Sequence, residues 1–380
     1  MPVNYFSNNP YWRKISLKLQ KIQQTILIRL IMNKTYYLTL LLTTAIAISS
    51  CKTKFSGKKH KNFEKTDTTF IKTGSVQRYS PRLDDIIPPG ELPEIIAEGF
   101  EWTEGPVWLP EQDILLFSDI PENSVFQWSE KDGLKLFLKP AGYTDTISRG
   151  GETGSNGLLL DKEGRLVLCQ HGDRRMARMD APLDKPEPSY ITLVDNWQGK
   201  RFNSPNDAIF NSRGDLFFTD PAYGMENGFE DSKREMNFTG VYKLTAEGVL
   251  TLLTDQMTAP NGIGLSPDES KLYVANSGEG DQAIWMEYGF REDGSLDEGR
   301  IFHNALQEKK GEQGAPDGLE VRKDGIIFAT GPGGVWIFSP EGEHLGTVKT
   351  GQATSNCTLD DDGRYLYITA DMYIMRIRLK

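Results

Sequence analysis

Cysteine and histidine are scarce in this chain of 380 residues, with three and four copies. Three cysteines exclude a disulfide scaffold and a four-cysteine zinc site. Basic residues are in deficit: 43 Lys and Arg stand against 53 Asp and Glu, for a net charge of −10. That balance argues against a general nucleic-acid binder, which needs a basic face to neutralise phosphates. No Gly-x-Ser-x-Gly nucleophile elbow, His-Glu-x-x-His or Walker A loop occurs, so serine-esterase, zincin and P-loop chemistries lack their residues. What is present, 38% hydrophobic and 25% charged residues, is the composition of a folded chain long enough for one large domain or two ordinary ones.

Charge is unevenly spread. Residues 1–50 hold six basic residues and no acid, which leaves 37 basic against 53 acidic residues in the rest. From Met32 a basic start, an apolar run over residues 38–48 and then Ser49-Ser50-Cys51 describe a secretory signal, too short to span a membrane comfortably. Ile48-Ser49-Ser50-Cys51 resembles the bacterial lipobox, whose cysteine is lipid-modified and becomes residue one. The expectation is an upstream extension over 1–31 with Met32 as the true start, a signal peptide over 32–50, and a chain held to a membrane by lipidated Cys51. The place expected for it is the bacterial cell envelope, facing the periplasm. Residues 51–91, rich in lysine and ending in Pro88-Pro89-Gly90, have too little apolar surface to fold alone and are expected to be a flexible tether. Cys169 and Cys357, far apart within or beside apolar runs, read as buried free thiols.

From residue 100 onward one pattern recurs six times. An acid or Asn, usually followed by Gly, opens a short apolar stretch; a turn rich in Asp, Lys and Gly leads to a second stretch. The openers are Glu104, Asn156, Asn206, Asn261, Asp317 and Asn356, spaced 52, 50, 55, 56 and 39 residues apart. Short alternating runs around a glycine turn are half-buried hairpins, and a repeat of about 40–55 residues with room for four strands is a propeller blade. The fold class expected is therefore all-β, a six-bladed β-propeller over residues 92–380. The strand-like stretch at 92–97 is expected to complete the last blade beside the chain's end. Aromatic residues at alternate strand positions are expected to form the packing between blades.

In a propeller the innermost strand of each blade starts beside the central channel, so the six openers aim at one place. Two carboxylates and four amides, with no base among them, repel unless a cation neutralises them. Oxygen ligands without His or Cys select a hard divalent ion: Ca²⁺ first, Mg²⁺ or Mn²⁺ as alternatives, Zn²⁺ as an acceptable substitute. Asn-Gly and Asp-Gly pairs are common in turns, but here they recur before the strand, where the turn chemistry is supplied further on.

Glu104-Gly105-Pro106-Val107-Trp108, Ser204-Pro205-Asn206-Asp207, Pro260-Asn261-Gly262-Ile263 and Pro316-Asp317-Gly318-Leu319 together resemble the regucalcin / gluconolactonase / luciferin-regenerating-enzyme-like family. His171-Gly172-Asp173-Arg174-Arg175 and Phe218-Thr219-Asp220-Pro221 look most like its bacterial gluconolactonase branch. The resemblance implies one catalytic divalent metal held by Glu104, Asn261 and Asp317, with Asn206 holding substrate or a water on the metal. The arginine that stands just upstream of that asparagine in the animal enzymes is replaced by Ser204, and Arg174 and Arg201 are the nearby candidates to substitute.

The activity implied is hydrolysis of a small-molecule sugar lactone; the sequence carries no oligomerisation signal, and a monomer is expected. The metal would stabilise the oxyanion and activate water, with Asp317 orienting or deprotonating that water. Asn156, Asn206 and His171 would hydrogen-bond substrate. Two alternatives keep the same fold: a propeller esterase or phosphotriesterase with the same metal, and a non-catalytic envelope propeller that binds a sugar or protein.

Overall fold

The computed structural model describes residues 70–278, 282–306 and 311–380, all within the unit His60–Lys380. They form six antiparallel sheets of four or five strands, and a two-stranded ribbon, Asn196–Trp197 with Lys200–Arg201, between the second and third. The sheets are the blades of a six-bladed β-propeller. Their innermost strands run Thr103–Leu109, Ser155–Leu160, Ala208–Phe210, Pro260–Leu265, Leu319–Val321 and Thr354–Leu359. Each is hydrogen-bonded to the next strand in sequence, as the repeat predicted. The turn between those two strands needs a left-handed residue. Gly214 supplies it in blade 3 at φ +88°, and Asp113 takes the same backbone region in blade 1 at φ +56°.

The period of two places the core. In the strand Ile114–Asp119, Leu115 and Phe117 pack with Ile374 and Tyr367 of blade 6, while the intervening Leu116 packs with Leu158 and Leu166 of blade 2. The same alternation repeats around the ring. Val167 meets Leu216, Phe217 meets Leu272, Tyr273 meets Ile327 and Phe328 meets Leu366, so six apolar clusters lie between six neighbouring pairs of blades. Aromatic pairs reinforce them: Trp108 stacks on Tyr367 at 5.1 Å, and Trp285 lies 5.3 Å from Trp336. Cys169 and Cys357 are buried free thiols inside these clusters.

Closure follows the expectation. Glu94–Glu98 pairs with the last strand, Tyr373–Arg378, and becomes part of blade 6. The boundary of the propeller lies earlier than residue 92. Ile71–Lys72 adds to Glu94–Glu98, and Ser75–Arg78 adds a fifth strand to blade 5 against His344–Lys349. A short 3₁₀ helix, Pro81–Asp85, then leads to Ile86 and Ile87, which with Leu83 are buried between blades 5 and 6. The part of the expected tether from residue 71 to 91 is therefore built into the fold. Its average composition is polar, but Leu83, Ile86 and Ile87 fill an existing core, with Val76 packed against it. The signal, the lipobox cysteine and residues 51–69 lie outside the described residues.

Candidate active site

The openers reach the axis through a repeated irregularity. The inner strands slip register at Glu104/Val107, Ser155/Leu158, Pro260/Ile263 and Thr354/Asn356. In blades 3 and 5 the opener precedes the strand but is still paired to its neighbour: Asn206 donates its N–H to Thr219 O at 2.9 Å, and Asp317 to Thr330 O at 3.1 Å. A bulge re-aims the side chain at the place where pairing lapses. The freed backbone bonds then tie blade to blade. Gly157 N–H reaches Asn206 O at 2.8 Å, Gly262 N–H reaches Asp317 O at 3.1 Å, and Gly318 N–H reaches Ser355 O at 2.7 Å.

That ring explains the glycine after the opener. A Cβ on Gly262 would lie 2.2 Å from Asp317 O, and one on Gly318 would lie 2.0 Å from the Asn356 side chain. These glycines stand where two inner strands approach each other, not in turns.

Two carboxylates are held in this ring. Glu104 is 2% exposed; its Oε2 accepts from Gly105 N–H at 2.7 Å and from Asn356 Nδ2 at 3.2 Å. Burial pushes its pKa up to about 8, and the negative charge of Asp207 adds to the rise. Asp317 is raised well above the ordinary carboxylate range by burial and then by the charges of Glu104, Asp207 and Glu152, opposed by a hydrogen bond from Asn261. Asp207, pushed by burial up to about 6, accepts from Asn356 Nδ2 at 3.5 Å. Several oxygens nearby are buried without a partner: Asp317 Oδ1, Asn206 Oδ1 and Asn156 Oδ1.

Mutually repelling carboxylates beside orphaned oxygens are the donor set of a hard cation, so the residues fit one. Among the described residues no group of three or more His, Cys, Asp or Glu stands in metal-holding proximity, so amide oxygens would have to complete the shell. Asn356 departs from the expected set. Its amide nitrogen faces the carboxylates and its oxygen accepts from Cys357 N–H at 2.8 Å, so it braces Glu104 as a donor.

The loops above the ring hold the remaining candidates. His171 is fully buried, and neither ring nitrogen has a hydrogen-bond partner; Glu152 Oε2 lies 3.5 Å from its Nδ1. A Cβ on Gly224 would meet the His171 Cβ at 2.6 Å, so the loop from blade 3 closes directly on the imidazole. Ser204 is a staple: its hydroxyl donates to Pro221 O at 2.7 Å and accepts from Gly224 N–H at 3.0 Å. Both arginines considered as substitutes are tied in part to backbone carbonyls, while Arg174 Nη2 is buried without a hydrogen-bond partner. Arg174 is buried with its Nε on Phe202 O at 2.6 Å, and Arg201 is exposed with its Nη2 on Asp173 O at 2.8 Å.

Several contributors were not singled out from the sequence. Asp207 occupies the position taken by glycine in four other repeats and places a third carboxylate beside Glu104. Glu152 and Tyr223 come from loops; Asp317 and Glu152 both add to the rise in the Tyr223 pKa that burial causes. Beneath the ring a cavity of about 250 Å³, lined by Asp207, Glu320 and Thr358, continues the channel.

Asp119 and Asp220 end the second strands of blades 1 and 3 and accept backbone N–H bonds from the segments that deliver the openers. Asp119 takes those of Glu101 and Trp102, and Asp220 those of Asn203 and Ser204. Asn276 does the same for Ala259 in blade 4 at 2.8 Å. A polar residue 14 or 15 positions after the opener, as Asp220 follows Asn206 and Asp119 follows Glu104, was the signal available in the sequence.

The family model described as "SMP-30/Gluconolactonase/LRE-like region" matches residues 102–371. A gluconolactonase of Zymomonas mobilis is 40% identical over 313 residues, covering 81% of this chain and 86% of that one. The solved structure of a gluconolactonase from Xanthomonas campestris superposes with a TM-score of 0.71 at 27% identity, over 84% of this chain and all of that one. A regucalcin structure from Agrobacterium tumefaciens, described as calcium-binding, shares the fold with a TM-score of 0.57 at 16% identity, over 75% of this chain and 94% of that one.

Proposed function

Because the chain belongs to the SMP-30/gluconolactonase/LRE-like family, we propose that it is a carboxylic ester hydrolase that opens a sugar lactone with the help of one divalent cation. The observation that carries this reading is the pairing of two carboxylates raised by burial, Glu104 and Asp317, the second raised further by the charge of the first, with the orphaned oxygens of Asn156, Asn206 and Asp317. Glu104, Asn206, Asn261 and Asp317 would hold the cation, Ca²⁺ being the ion that suits an oxygen-only shell. Bound there, it supplies Lewis-acid stabilisation of the charge that develops on the lactone carbonyl oxygen.

The chain's own residues do the rest. Asp317 directs its unpartnered Oδ1 at the attacking water and fixes its approach to the carbonyl carbon. Water adds to that carbon, the bond to the ring oxygen breaks, the ring oxygen takes a proton, and an open hydroxy acid results. Asn156, Asn206 and His171 hydrogen-bond the substrate, and Asn356 keeps Glu104 in place. Burial of these groups makes each such bond worth more than it is in water.

The test is glucono-δ-lactone hydrolysis with and without chelator, alongside Asp317→Ala. Chelation and the substitution are each expected to remove most of the rate; equal rates in all samples reject the proposal. The leader residues ending in Ile48-Ser49-Ser50-Cys51 support a second part of it, attachment to the bacterial envelope through lipidated Cys51. Fatty-acid labelling of the full chain should be lost in Cys51→Ala.

A further inference from the structure

Glu152 has no place in the chemistry above, yet the fold holds it over the site. It lies between two anchored stretches of residues 142–154. On one side, Arg149 Nη2 donates to Gly224 O at 2.9 Å and to His171 O at 3.4 Å, and a Cβ on Gly151 would lie 2.7 Å from Met225 O. On the other, Gly154 N–H bonds Ile120 O at 2.9 Å, and Thr153 O lies 2.4 Å from where a Cβ on Gly172 would be. Backbone packed this closely fixes the Cα from which the Glu152 side chain reaches to His171.

Its charge bears on Glu104, Asp317 and Tyr223, so it faces the ring from above. The His171 imidazole stands 3.5 Å from it, fully buried and with no hydrogen bond through either nitrogen. A buried imidazole with both nitrogens idle is costly unless a ligand completes it.

We infer that Glu152 and His171 form a subsite for hydroxyl groups of the lactone, and that Glu152 is a specificity-determining residue of this enzyme. A hydroxyl donates and accepts at once, so it can bond the carboxylate and the imidazole together. Glu152 and the acids behind it, Glu104, Asp207 and Asp317, offer acceptor oxygens and no cationic partner, so the group Glu152 takes is an uncharged hydroxyl and not a phosphate or carboxylate. The inference rests on the lactonase reading and adds to it the residue that would select a hydroxylated lactone over a bare one.

The experiment compares glucono-δ-lactone with δ-valerolactone, which has the same ring ester and no hydroxyl, in the wild-type chain, Glu152→Gln and Glu152→Ala. Cation content and thermal midpoint serve as controls for folding. The expected result is a fall of about tenfold in the ratio of kcat/KM between the two lactones, arising from KM for glucono-δ-lactone, as for a site that loses a hydrogen bond to substrate. A ratio unchanged within twofold in either variant, whether both rates hold or both fall together, overturns the inference. Failure of the wild-type chain to hydrolyse either lactone would instead overturn the proposed function.

Discussion

At the scale of single residues, the site is a balance between burial and charge. Glu104 is held between Gly105 N–H and Asn356 Nδ2, with nothing basic within reach of its carboxylate among its described partners. Glu104→Gln keeps the shape and removes the charge. Metal analysis is expected to find the bound cation lost, and kcat/KM on glucono-δ-lactone is expected to fall at least about a hundredfold. Asp220 shows the structural counterpart. It is fully buried, accepts from Asn203 and Ser204, and is still pushed by burial up to about 7. Asp220→Ala leaves those donors unsatisfied and is expected to cost about 3 kcal/mol in denaturant unfolding. It should also raise KM, since the segment it clamps carries Asn206. Glu104 and Asp317 were legible because their type recurs at a fixed place in each repeat. Asp207 was not, because a carboxylate beside an opener reads as a turn residue until the neighbouring blade is seen to press it toward Glu104.

At the scale of elements, the bulged inner strand is the working part. It turns the opener toward the axis and hands its backbone bonds to the next blade. Gly318→Ala would drive a methyl into the Asn356 side chain, which braces Glu104, whereas Gly262→Ala would drive one into the backbone of Asp317. Both are expected to destabilise by about 1–3 kcal/mol in thermal unfolding, the range for overpacking a filled space. The larger loss of activity is expected for Gly262→Ala, because the backbone atom it strikes belongs to Asp317, the residue proposed to orient water. The strand alternation and the turns were legible in the sequence, since a period of two and a left-handed turn residue are local properties. The bulges were not, because register is a relation between two strands.

For the whole molecule, ring closure and the axial charges set stability. A chain beginning at residue 92 keeps the closing strand Glu94–Glu98 but loses Ser75–Arg78 from blade 5 and Leu83, Ile86 and Ile87 from the core. Compared with one beginning at residue 70, it is expected to melt lower and to aggregate through the bared edge of His344–Lys349. A flexible tether there would leave the two equal.

Acids raised by burial add a dependence on pH. Glu104, Asp220 and Asp207 have pKa values near 8, 7 and 6, above their ordinary 4.5, 3.8 and 3.8. Between about pH 4 and 8 the folded chain therefore keeps protons that the unfolded chain has lost. Stability of the chelated protein should fall as pH rises through that window. Added Ca²⁺ is expected to flatten the curve, because it favours the ionised form of Glu104. Thermal midpoints with and without chelator across that range check this.

By itself the sequence determined the number of blades, their boundaries from residue 100 onward, the closing strand and the residue types at the axis. All of these follow from a local pattern repeated six times, and repetition makes a weak signal readable. Only the tertiary structure decided which neighbours those axial groups have: that Asn356 faces Glu104 with its nitrogen, that Asp207 and Glu152 join the carboxylates, and that His171 is buried with both nitrogens idle. Those facts arise where loops of different blades meet, between residues tens to hundreds of positions apart. A one-dimensional pattern carries no record of such proximity.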